Sequence, residues 1–89
     1  MLRYRYYLSP AGEERCDKNQ FYLQATPKYR GFTPRVFRAI RKEAKTIAEI
    51  ATDIKPFYPG VNYSDLKRSV NGVITFNVAQ DYIRRLQIL

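Results

Sequence analysis

The chain has 89 residues, with 16 lysines and arginines against 8 aspartates and glutamates, a net charge of +8 and no histidine. So short a chain reads as a single domain, residues 1–89, with a modest core, while eight tyrosines and five phenylalanines give it too much apolar surface for a disordered tail. The missing histidine removes the commonest general base near neutral pH and the commonest zinc ligand.

No run approaches the roughly 20 apolar residues that span a bilayer, and the N-terminus lacks the apolar core of a secretory signal. The arginines of MLRYRYYLS would suit a mitochondrial presequence, but their alternation reads better as a strand. Cys16 is the single cysteine and cannot form an internal disulfide, which points to a reducing, cytoplasmic setting. Arg15 and Lys18 are offset by Glu14 and Asp17, so Cys16 reads as an incidental loop thiol.

In residues 2–8, LRYRYYL, Leu2, Tyr4, Tyr6 and Leu8 share one face and Arg3, Arg5 and Tyr7 the other. Period two with aromatic enrichment predicts a half-buried strand. SPAGEERCDKN, with Pro10 and Gly12, reads as a long connecting loop. QFYLQAT then resumes the alternation, Phe21, Leu23 and Ala25 against Tyr22, Gln24 and Thr26, until Pro27 ends it or confines it to a sheet edge. The two strands are expected to pair as an antiparallel hairpin.

Residues 34–52 carry the clearest signal. Thr33 is placed to cap a helix, Pro34 to occupy its first position, and Phe32 to staple its first turn. Phe37, Ile40, Ala44, Ile47, Ala51 and Ile54 recur at spacings of 3, 4, 3, 4 and 3, one continuous apolar stripe that Pro56 stops. KPFYPG reads as a stiff turn. In NYSDLKRSV, Asn62 or Ser64 could cap a helical turn, but Asn71-Gly72 accepts the positive φ angles of a type I′ turn, so a hairpin of residues 66–70 with VITFNV is preferred. Tyr82, Ile83, Leu86 and Leu89 fit a short amphipathic helix, with a last strand as the alternative. The order β-β-α-β-β-(short α) predicts an α+β fold, an antiparallel sheet of three to four strands packed against one long helix.

The available chemistry is narrow. The four glycines stand singly, so no phosphate-cradling loop is present. No Ser/His/Asp or Cys/His constellation can be assembled, and nothing in their spacing pairs Asp65 with Asp81. The chain reads as a protein without catalytic residues, metal or cofactor.

The charge is concentrated. Residues 28–45 hold seven basic residues against Glu43 alone. In one long helix Arg35 and Arg38 would lie in the first turns, where the dipole disfavours cations, and Glu49 and Asp53 toward the far end. An arrangement that opposes helix stability suggests a ligand, and the ligand would be anionic. The expectation is a nucleic-acid-binding domain, DNA or RNA, with Arg35, Arg38, Arg41, Lys42 and Lys45 on phosphates, Lys28 and Arg30 extending the path, and Arg3, Arg5 and Tyr29 contributing beside them. No helix-turn-helix partner precedes the expected helix, so no groove geometry follows. The alternative is a protein-interaction module or small inhibitor that docks on an acidic or nucleic-acid-binding groove of a partner protein. Membrane binding is not expected, because the apolar stripe is needed for the core. Homodimerisation through exposed sheet edges is a further possibility.

Overall fold

The computed structural model describes residues 3–21 and 29–88. Among them are four α-helices and one two-stranded antiparallel sheet: β1 (Arg3–Leu8), α1 (Pro10–Lys18), α2 (Phe32–Arg41), α3 (Ile47–Ile54), a 3-10 turn (Lys55–Phe57), α4 (Tyr63–Ala79) and β2 (Ile83–Ile88). The fold is α+β, as expected, but the expected sheet of three to four strands against one long helix is replaced by a helical bundle closed by a ribbon of the first and last strands.

Each change has a local cause. The expected loop after β1 is α1, because Ser9 caps it: its Oγ accepts from Gly12 N at 3.1 Å, and Pro10 needs no N–H partner in the first turn. The expected second strand, residues 20–26, falls largely outside the described residues; Phe21, near its start, packs edge-on against Phe37 with ring centroids 5.1 Å apart. The expected long helix divides in two. Thr46 forms a capping box with Glu49, and Lys45 exchanges backbone hydrogen bonds of 2.8 and 3.0 Å with Tyr6 of β1, so residues 42–46 leave helical geometry. Thr33 does not cap α2. That position belongs to Gly31, whose φ of 69° suits glycine, and Pro34 lies inside the first turn, where its missing N–H is no loss.

The expected hairpin through Asn71-Gly72 is the middle of α4. Asn62 caps it, with its side chain accepting from Asp65 N at 2.9 Å, and Leu66, Val70, Ile74 and Asn77 form the buried face at helical spacing. The expected C-terminal helix is β2, which pairs with β1 from Arg3 opposite Ile88 to Leu8 opposite Ile83. β1 therefore finds its partner 75 or more residues away along the chain, not in a local hairpin.

The core joins Val36, Phe37 and Ile40 of α2, Ile50, Ala51 and Ile54 of α3, Leu66, Val70 and Ile74 of α4, and Leu8 and Ile83 of the ribbon. Each large side chain fully buried there contributes about 1.5–3 kcal/mol. A two-stranded ribbon is marginal alone; this one is anchored at its inner end, where Ser9 N donates to Tyr82 O at 3.1 Å and Ser9 Oγ to Asp81 O at 2.5 Å. Gly12 lies against the same turn so closely that a Cβ would stand 2.0 Å from Tyr82 O.

Candidate functional site

The cations of the basic stretch do not form one unoccupied face. The Arg35 guanidinium lies 4.2 Å from the Phe57 ring centroid and hydrogen-bonds the Arg30 carbonyl and the Tyr58 hydroxyl, so it ties α2 to the turn after α3. Arg41 is ion-paired with Asp17 of α1, which also raises the Arg41 pKa, and Lys45 with Asp53 of α3. Arg5 donates to Glu49 Oε1 at 2.8 Å and to Ala44 O at 3.3 Å, joining β1 to the start of α3. Tyr29 packs on Phe32 and Tyr58, with centroids 5.4 and 6.2 Å apart. Lys28 lies outside the described residues. That leaves Arg30, Arg38, Lys42 and Arg3, all exposed and with no carboxylate partner among the described residues.

The break between α2 and α3 also reverses the dipole reading. Arg38 and Arg41 lie in the last turn of α2 and Glu49 in the first turn of α3, the ends that favour those charges. The Glu49 pKa is lowered first by the Thr46 N–H of the capping box, against desolvation, with help from the Thr46 hydroxyl, Arg5 and Lys45. Arg38, Arg41 and Glu49 thus complement the helix ends on which they sit, and their placement alone does not call for a ligand.

Sequence reasoning missed the cations of α4 and β2. The outward side of α4 carries Ser64, Arg68, Asn71 and Thr75, exposed and turned away from Leu66, Val70 and Ile74, with Lys67, also exposed, on the flank next to Ile74. Arg68 has its side chain 82% accessible and only a 4.0 Å approach to Asp65. Lys67 Nζ lies 5.8 Å from the Tyr63 ring centroid. Tyr63 fixes the start of α4 across α3 by donating to Ala48 O at 3.1 Å. On the ribbon, the register places Arg3, Arg5, Tyr7, Arg84 and Leu86 on the face opposite Leu8 and Ile83. Arg84 is clamped by both oxygens of Asp81 at 3.1 and 3.2 Å, whereas Arg85 is exposed and lies over the Tyr4 ring at 4.6 Å. The signal available was the pair Lys67-Arg68, which a helical reading puts three and four residues from Ser64 and Asn71.

A second feature is a cleft of about 880 Å³ between α2 and α4, lined largely by aromatic side chains including Phe32, Phe37, Phe76 and Tyr82. Its charged lining residue, Arg15, is engaged by the Tyr82 ring at 3.9 Å and the Tyr82 hydroxyl at 2.8 Å. Burial raises the Cys16 pKa, so the thiolate is disfavoured. Among the described residues no group of histidine, cysteine and acidic side chains could hold a metal ion, and no helix is long and apolar enough to cross a membrane. No protein-family model matches the chain, and no curated protein or solved structure is significantly similar to it.

Proposed function

We propose that the chain is a small nucleic-acid-binding domain that holds its ligand mainly through phosphates. What carries the reading is the charge left over after internal pairing. Among the described residues, Glu14, Asp17, Glu49, Asp53, Asp65 and Asp81 are each taken by one cation. Arg3, Arg30, Arg38, Lys42, Lys67 and Arg85 remain exposed without a carboxylate. A +8 chain with six of its eight acids already engaged, Glu13 and Glu43 being the exceptions, presents a surface that attracts polyanions and repels copies of itself. Exposed Arg and Lys gain most from phosphate, whose binding releases condensed counterions.

The test is a salt series with a labelled duplex and a labelled RNA. If most of the six cations reach phosphates, log K against log salt should fall with a slope of roughly −4 to −5 on duplex between about 50 and 200 mM salt. A flat response, or capture of a partner protein that survives nuclease treatment, would replace this reading with that of a protein-docking module.

A further inference from the structure

We infer that the nucleic acid is a duplex and that the outward face of α4 is the surface that reads it. The inference rests on the nucleic-acid reading above and adds the form of the ligand and the contacting element. Three observations carry it.

The first is composition at a fixed geometry. Ser64, Lys67, Arg68, Asn71 and Thr75 lie along one exposed side of one helix, and the carboxylate beside them, Asp65, makes only a 4.0 Å approach to Arg68. The eleven steps from Ser64 to Thr75 rise about 16 Å, and a helix about 10–12 Å across matches a major groove about 12 Å wide. Arg and Lys address guanine edges, Asn adenine edges, and Ser and Thr either base edges or phosphate oxygens. An exposed helix face chosen only for solubility would carry glutamates among its lysines.

The second is the support. α4 runs across α3, held by the Tyr63 hydroxyl on Ala48 O and by the shared core of Ile50, Ile54, Leu66 and Val70. A helix presented by a preceding helix is how helix-turn-helix proteins seat a reading helix. The connection here, residues 55–62, is longer than their 3–4-residue turn. β2 leaves α4 after residues 80–82, so the ribbon, with the exposed Arg3 and Arg85 on its two faces, belongs to the same packed unit.

The third is Gly72. It sits in the interior of α4, exposed, and a Cβ there would meet nothing within 4 Å. The fold has no use for glycine at that point, and glycine costs a helix interior about 0.5–1 kcal/mol relative to alanine. It stands where the polar face meets the rim of the cleft between α2 and α4, between Arg68 and Phe76, and leaves the backbone open to close approach by a partner.

The experiment measures binding by fluorescence anisotropy to a duplex of about two helical turns and to its separated strands. It compares the unaltered chain, the double variant K67A/R68A, N71A, and the control R38A/K42A on α2. These side chains are exposed, and circular dichroism confirms that each variant is folded. Duplex is expected to bind at least about tenfold tighter than single strands, and K67A/R68A to lose about tenfold or more in duplex affinity. R38A/K42A should lose less and lower the salt slope by at most about 2. Selection from a randomised duplex pool should enrich a short motif, which N71A relaxes at one position. Equal binding of single strands, or K67A/R68A behaving like R38A/K42A, overturns the inference while leaving the nucleic-acid reading intact. Absence of binding to any nucleic acid overturns both.

Discussion

Helices α2 and α4 both expose cations, but the cations stand in different relations to the fold. On α2, Arg35 bridges to Phe57 and Tyr58 and Arg41 to Asp17, while Lys45 just beyond it is paired with Asp53. Arg38 and Arg41 also complement the helix end on which they sit. On α4, Lys67 and Arg68 lie in the first half, Arg68 has only a long contact with Asp65, and Ser64, Asn71 and Thr75 near them are exposed. The denser charge in sequence is therefore the one most consumed by the structure. A run of basic residues becomes evidence for a ligand only after the pairs it makes at home have been subtracted.

The comparison implies that disturbing what the fold uses should cost stability, and disturbing the outward face of α4 should not. The largest effect is expected at Gly12, which holds the turn between α4 and β2. An added Cβ would stand 2.0 Å from the Tyr82 carbonyl oxygen, a backbone atom that cannot swing aside. Gly12→Ala should destabilise the protein by about 3 kcal/mol or more, at the upper end of overpacking costs. A denaturant titration that finds the variant within about 0.5 kcal/mol of the parent, as for an ordinary surface change, would show that the ribbon is not clamped there.

Gly72 is the counterpart on α4. Nothing surrounds its Cβ position, and its φ is not in the left-handed region. Gly72→Ala should stabilise the folded chain by about 0.5–1 kcal/mol, through helix propensity and a less free unfolded state. The same substitution should weaken duplex binding if the backbone is approached closely at that point. Two glycines on elements that meet at one turn are thus expected to respond with opposite signs in the same unfolding experiment.

How much of this was legible in the sequence depended on whether the deciding contact was local. The alternation of β1 was readable, and its faces are as expected, because a two-residue period reports directly on which side is buried. The apolar stripe of residues 37–54 was also real: Phe37, Ile40, Ala51 and Ile54 are buried. Its break was not readable from periodicity, since the 3-4 spacing runs unchanged through residues 42–46. What divides the helix is the backbone pairing of Lys45 with Tyr6, a contact across 39 residues, reinforced by a capping box that Thr46 and Glu49 did spell out. Asn71-Gly72 was misleading for a related reason. It suits a tight turn by itself, but Asn62 capping and the buried Leu66–Val70–Ile74 spacing outweigh it once α4 packs on α3. The pairing of β1 with β2 lies beyond any local pattern. Because the dipole argument rested on one unbroken helix, it loses its force once residues 34–52 divide into α2 and α3.

The smallest expected effect is on pH dependence, where the charges serving the fold should again separate from those of α4. The Glu49 pKa is lowered, chiefly by the Thr46 backbone N–H; those of Glu14 and Asp81 are lowered, chiefly by hydrogen bonds from Lys18 and Arg84. A carboxylate whose folded pKa lies below its unfolded value binds fewer protons when folded. Its contribution is therefore complete above the ordinary values of 4.5 for glutamate and 3.8 for aspartate, and is lost as pH falls through the lowered folded values. Stability should be level from neutrality to about pH 5 and decline below it, with a modest amplitude because these groups are exposed and screened by salt. Glu49→Gln should shrink the acid limb, since the amide can still accept from Thr46 N but no longer titrates. Lys67→Ala, which removes a cation with no carboxylate partner among the described residues, should leave that limb in place. Unfolding midpoints measured across the acid range for these two variants test the division directly. If Lys67→Ala moves the limb as far as Glu49→Gln does, the α4 cations are serving the fold after all, and the distinction between the two helices fails.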